Sequence, residues 1–234
     1  GDSSLMVFPR WRKVLRDLWS NKTRTLLVIL SIAVGVAAIG VVAGTYAIIT
    51  RELPDAYSRV NPTSATIYSE PFDDEMLRVL QNMGLARNLE GRYTLRITTR
   101  VALDKERDIY LNVIPNFSNI QINKVFPQSG SWPPGKEEML IERASLPLLN
   151  AQIGDTLTVE TPDGRTRLLK ISGLAHDITG PAGTFIDRVS GYITFETLEA
   201  LGYPSQYNEL LLTVSGTPPD TERVKLVADQ LAEK

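Results

Sequence analysis

Between Leu26 and Ile49 the sequence reads LLVILSIAVGVAAIGVVAGTYAII, 24 residues without a charged side chain. At a rise of about 1.5 Å per residue, a helix of that length measures roughly 36 Å, more than the ~30 Å of a bilayer's hydrocarbon core. A buried core helix is usually shorter and keeps a polar face, whereas this run is apolar all round. A cleaved signal peptide carries an apolar region of only about 7–15 residues, ending at small residues. Ile48-Ile49-Thr50-Arg51 makes a poor site of that kind. The stretch predicts a membrane-spanning helix over residues 26–49.

The flanks give this helix a direction. Arg12, Lys13, Arg16, Lys22 and Arg24 precede it closely, while Arg51 and Arg59 follow, diluted by Glu52 and Asp55. Lysine and arginine bias marks the cytoplasmic side, so residues 1–25 are expected inside and everything after Thr50 outside. Phe8, Trp11, Val14, Leu15, Leu18 and Trp19 recur at three- and four-residue intervals, with Arg12, Lys13, Arg16 and Asp17 on the other side. That pattern predicts an amphipathic helix at the membrane surface. Trp11, Arg12, Arg16, Trp19, Lys22 and Arg24 are its candidate contacts to lipid or to a cytoplasmic partner. Within the span, Ser31 and Gly35, Ala33 and Ala37, and Gly40 and Gly44 stand four apart. Small residues so spaced let helix backbones approach closely, which makes Ser31, Gly35, Gly40 and Gly44 candidates for helix packing.

Composition narrows the chemistry. The basic charge is local: residues 1–24 hold six basic side chains against Asp2 and Asp17, and the rest holds 19 basic and 25 acidic. No nucleic-acid partner is expected. The absence of cysteine excludes disulfides, thiolate metal sites and a cysteine nucleophile, and a single histidine excludes multi-histidine zinc sites.

Residues 50–63, punctuated by Pro54 and Pro62, are read as a stalk, and 64–234 as one α+β domain. Residues 64–69 have strand composition. Asp73-Asp74-Glu75 opens a helical pattern that Gly84 ends, and 93–103 and 108–114 read as a hairpin joined at 104–107. A loop over 128–135, a short strand 139–142 and a short helix 143–149 follow. Strands 156–160 and 166–174 turn at Pro162-Asp163-Gly164. Residues 176–191 read as a long exposed loop, followed by a strand 192–195, a helix 197–201, a strand 209–214 and a helix 221–233. The order suggests an α+β domain whose α/β part, 64–100 and 190–234, is interrupted by a mainly β insertion, 101–189. The sequence ends within a helical pattern, which suggests a portion of a longer protein.

Three local patterns imitate chemistry. Gly130-Ser131-Trp132-Pro133-Pro134-Gly135-Lys136 approaches a phosphate-binding loop, but Pro133 and Pro134 lack the N–H groups such a loop needs. Glu137 also stands where a magnesium-binding hydroxyl belongs. His176-Asp177 has no nucleophile motif beside it, and Asp73-Asp74-Glu75 is explained by a helix N-terminus. No catalytic residue, metal ligand or cofactor site is assigned, and no enzymatic activity is expected of this chain.

WRKVLRDLWSNKTRTLLVILSIAVGVAAIGVV, Trp11–Val42, resembles the N-terminal pattern of the MacB/FtsX-like ABC-transporter permeases. That pattern is a basic amphipathic stretch, an Asn-Lys-x-Arg-Thr-like step and an apolar helix with a Gly-Val pair, met by Asn21, Lys22, Arg24, Thr25, Gly35 and Val36. FPQSGSWPPGKEEMLIERA, at 126–144, and IGDTLTVETPDGRTRLLKISGLAHD, at 153–177, are similar to the family's extracytoplasmic core. The resemblance implies a plasma-membrane permease subunit whose large domain lies in the periplasm or outside the cell and has a porter-like α/β part split by a mainly β part. It also implies an ABC-type ATPase partner and a second permease subunit, the pair transmitting conformational change across the membrane. The alternative reading is a single-pass anchored binding module without transport activity.

Overall fold

The computed structural model describes residues 22–48, 50, 57–102, 105–180, 187–216 and 220–232. They fall into two units, 1–55 and 56–234. The first unit contains helix α1, Lys22–Ala47, 26 residues of which none is buried. It is long and apolar enough to cross a membrane. It starts four residues before the apolar run, because Lys22, Thr23, Arg24 and Thr25 continue the helix. Such flanks are tolerated because long basic side chains can reach back to the headgroups. The protein is thus a mixed α+β molecule with one apolar helix ahead of a sheet-rich domain.

The second unit is organised by β2, Asn88–Ala102, a strand of 15 residues that serves two different sheets. Its first part, Asn88–Arg92, pairs antiparallel with β9, Tyr207–Thr213, which pairs in turn with β1, Ala65–Phe72. β1 and β2 therefore run parallel on either side of β9, with α2, Asp74–Asn82, between them in the chain. That is a split βαβ unit. α2 starts where the Asp73 side chain accepts from the backbone N–H groups of Glu75 and Met76, and Gly84, at φ +65°, follows its end. Leu77 and Leu80 of α2 join Val227 and Leu231 of α5, Thr221–Ala232, over Leu210 and Leu212.

From Tyr93 onward β2 exchanges β9 for β3, Lys105–Val113. Pairing then continues through β8, Val189–Ile193, β5, Glu138–Glu142, β7, Thr166–His176, and β6, Thr156–Glu160. β6 returns to β2 at Thr98↔Glu160 and Thr99↔Val159, closing a six-stranded barrel at a junction only two pairs wide. β4, Phe126–Gly130, lies outside the ring on β7. Leu95, Ile97, Ile109, Leu111, Met139, Ile141, Leu169, Ile171 and Ile193 fill the interior. They are joined by Leu149 of α3, Leu146–Leu149, and Leu198 of α4, Phe195–Ala200. Where β9 leaves β2, Asn208 takes over as a side-chain strand. Its amide accepts from Thr94 N at 2.8 Å and donates to Thr94 O at 3.0 Å.

Several expected boundaries shift for identifiable reasons. The change of partner lies between Arg92 and Tyr93, not at residue 100, because β2 keeps one alternation through both parts. The barrel continues past 189 because β8 and α4 contribute Val189, Ile193 and Leu198 to its core. Residues 128–130, the start of the expected loop, belong to edge strand β4, and Val189–Gly191, expected exposed, begin buried β8. Lys105–Arg107 belong to β3 rather than to the turn, since β2 and β3 pair down to Ala102↔Lys105.

Gly91 is required by a close approach. A Cβ there would lie 2.7 Å from Cγ of the Tyr207 ring. Gly91→Ala is expected to destabilise the domain by about 1–3 kcal/mol, measurable by urea unfolding.

Candidate functional site: the apolar helix and the entry to the sheet-rich domain

Of the six candidate contact residues, Trp11, Arg12, Arg16 and Trp19 lie outside the described residues. Lys22 and Arg24 occupy the exposed first turn of α1. The four packing candidates do not share one face. At about 100° per residue, Gly40 lies roughly 140° round the helix from Gly35, so Ser31/Gly35 and Gly40/Gly44 point to opposite sides. The longer small stripe is Ala33, Ala37, Gly40, Gly44 and Ala47, at alternating spacings of four and three. That is the spacing of a left-handed helix–helix seam. Among the described residues, nothing lies within 4 Å of a Cβ built at Gly35, Gly40 or Gly44. Ser31 Oγ donates to Leu27 O at 2.9 Å, so its hydroxyl is satisfied within the helix.

The sequence patterns that imitate chemistry are otherwise engaged. Asp73 caps α2, and Asp74 accepts from the Tyr207 hydroxyl at 2.6 Å. Asp177 accepts from the Tyr192 hydroxyl at 2.7 Å and from Thr179 N and Oγ1 at 2.8 and 2.6 Å, which leaves it no orienting role toward His176. Burial, and then this carboxylate, hold the Tyr192 phenol well above its ordinary value. In the phosphate-loop imitation, Gly135 N donates to Glu138 Oε2 at 3.0 Å, and Ser131 N to Ser172 O at 2.9 Å. The Gly135 N–H and the Lys170 ammonium hold the Glu138 carboxyl below the usual carboxylate range. Among the described residues, no three His, Asp or Glu side chains cluster as metal ligands.

The best-connected polar group was not singled out from sequence. β2 places Glu90 and Arg92 on the sheet face opposite α2, two residues apart. Glu90 Oε1 meets Arg92 Nε at 2.9 Å, with the side chains only 12% and 6% exposed. Glu90 Oε2 accepts from the backbone N–H groups of Gln121 and Ile122 at 2.8 and 3.0 Å, and Arg92 donates to Ile122 O. The loop so held grips the start of the domain in turn. Lys124 N donates to Val60 O at 2.9 Å, Asn123 N to Asn61 O at 3.1 Å, and Asn61 Nδ2 to Gln121 O at 2.7 Å. Asn123 Oδ1 accepts from Thr63 N at 2.8 Å. Val60 is fully buried. Residues 60–63, expected within a stalk, are therefore part of the folded domain. The signal for this was Glu90 and Arg92 as polar residues on a strand, indistinguishable in sequence from a solvated face.

No protein-family model matches this chain. No curated protein matches it by sequence. Among solved structures, it is similar to the extracellular domain of the noncanonic ABC-type transporter YknZ from Gram-positive bacteria. The identity is 14% and the TM-score 0.46, over 72% of this chain and 89% of that one. It is also similar to the periplasmic region of MacB from Actinobacillus actinomycetemcomitans, at 11% identity and TM-score 0.41, over 71% and 75% of the two chains.

Glu209, on β9 opposite Arg92, offers a test of this polar face. Burial raises its carboxyl above the usual range, against the opposing pull of Thr94, Arg92 and Arg188. A raised folded-state pKa contributes stability at low pH that is lost as pH rises through that value. Glu209→Gln is expected to raise the melting temperature at neutral pH. The gain should vanish below about pH 4, where the carboxyl is protonated in folded and unfolded chains alike.

Proposed function

We propose that this chain is a permease subunit of an ABC-type transporter, with α1 crossing the plasma membrane, its basic flank in the cytoplasm and the sheet-rich domain outside. The observation that carries the reading is α1, which has no buried residue and no charge from Leu26 to its end, together with the five Lys or Arg that closely precede Leu26 in the sequence. The motif from Trp11 to Val42 supports the permease assignment over a bare anchor, because an anchor needs only apolar length. Trp11, Arg12, Arg16, Trp19, Lys22 and Arg24 then face a cytoplasmic ATPase or the inner leaflet. ATP hydrolysis belongs to that partner, and the subunit converts its motion into movement of the outer domain. A second permease subunit packs on α1 along Ala33, Ala37, Gly40 and Gly44.

Affinity purification of the intact protein from membranes is expected to recover an ATPase subunit. Protease added outside intact cells should cut in the domain, as at the Pro162-Asp163-Gly164 turn, and spare Arg12. Cleavage at Arg12 with Asp163 protected would reverse the topology, and stable, inserted protein without an ATPase would favour the anchored binding module. Gly40→Leu is expected to weaken α1 self-association in bilayers by about tenfold, and Gly35→Leu to do so less, measured by energy transfer between labelled helices.

A further inference from the structure

We propose that Glu90 and Arg92 form a latch fixing the residues by which the chain enters the sheet-rich domain to β2, the strand shared by both its parts. The chain of contacts is continuous. Val60, Asn61 and Thr63 are bonded to 121–124, and Gln121 and Ile122 are bonded to Glu90 and Arg92. Asn61 Nδ2 also lies 3.4 Å from Asn88 Oδ1 on β2, and Thr63 Oγ1 and Ser64 N donate to Leu212 O on β9 at 3.1 and 2.8 Å, so the loop is one of two bridges, the one that holds Val60 and Asn61. Two of the bridging residues, Asn61 and Asn123, are left-handed at φ 48° and 49°. Asparagine tolerates that conformation, and the surrounding bonds hold it.

The pair acts by position. Ile120 and Ile122 are buried in their own right, so the loop stays docked without the carboxylate. What Glu90 adds is register: one carboxylate accepts two adjacent backbone N–H groups and a guanidinium, a set that fits one placement of the loop. A displacement reaching residue 60 is then carried into β2, and through β2 into the three-stranded sheet and the barrel together. That consequence rests on the proposed permease reading, but the latch itself does not.

The test uses the intact chain in detergent micelles, comparing wild type with Glu90→Gln. Hydrogen exchange at Gln121, Ile122, Asn123 and Lys124 is expected to quicken by about tenfold, with the barrel amides of β3 unchanged. Nitroxides on Tyr57→Cys and Lys105→Cys, in a chain with no cysteine of its own, should give one narrow distance in wild type and a broadened one in the variant. An unchanged distance distribution overturns the latch, as does accelerated exchange across the whole domain, which would make Glu90 a general stabiliser. Arg92→Lys, which keeps the charge but loses the guanidinium fork, should reproduce the broadening if Glu90→Gln fails to fold. Glu70→Gln, on exposed β1, should change neither reading. Failure to recover an ATPase would refute the permease reading and leave these results standing.

Discussion

Everything in the sheet-rich domain depends on β2 keeping a single alternation while its neighbours change. A β-strand shows successive side chains to opposite faces. Along β2 the odd positions from 89 to 97, Gly91 aside, supply apolar groups: Leu89 to the core beneath α2 and α5, then Tyr93, Leu95 and Ile97 to the barrel interior. The even positions, from Glu90 through Arg92, Thr94, Arg96 and Thr98 to Arg100, stay on the outer face. A one-residue slip would reverse both sets at once. Two cores are thereby held in phase by one backbone, without a linker between them.

The same outer face accounts for how the domain receives the chain. The buried pair on β2 holds a loop and the loop holds Val60–Thr63, so the folded region of the second unit includes residues 60–63. Exposed ion pairs elsewhere on β2 and β3, such as Arg96–Asp108 and Arg100–Glu106 at 3.6 Å, lie in high dielectric and contribute little. Depth of burial separates the pair that positions something from the pairs that merely coexist.

The sequence was most legible where one physical requirement acts alone. The apolar run from Leu26, the acidic start and Gly84 stop of α2, and the Pro162-Asp163-Gly164 turn are each decided locally, and each element forms where its signal stands. β4 was hidden because its residues Phe126–Gly130 are all exposed and include Pro127, so edge position rather than composition makes it a strand. Val189–Gly191 was obscured because Gly191 reads as a loop residue. In the fold it is glycine because a Cβ would meet Leu111 Cδ2 at 2.8 Å across the parallel β3–β8 pair. The small residues of α1 were legible only as pairs; helical rotation is what separates those pairs and aligns the longer stripe.

The barrel's ring has two thin places. Between β6 and β2, and again between β5 and β8, it is joined by two residue pairs, whereas β2 and β3 share nine. Beside the β6–β2 join, threonines of both strands border a cavity of about 670 Å³ open to solvent. A ring of this kind does not breathe evenly. Its thermal opening is favoured at these short joins, where the fewest ladder hydrogen bonds must break, rather than along the long β2–β3 ladder.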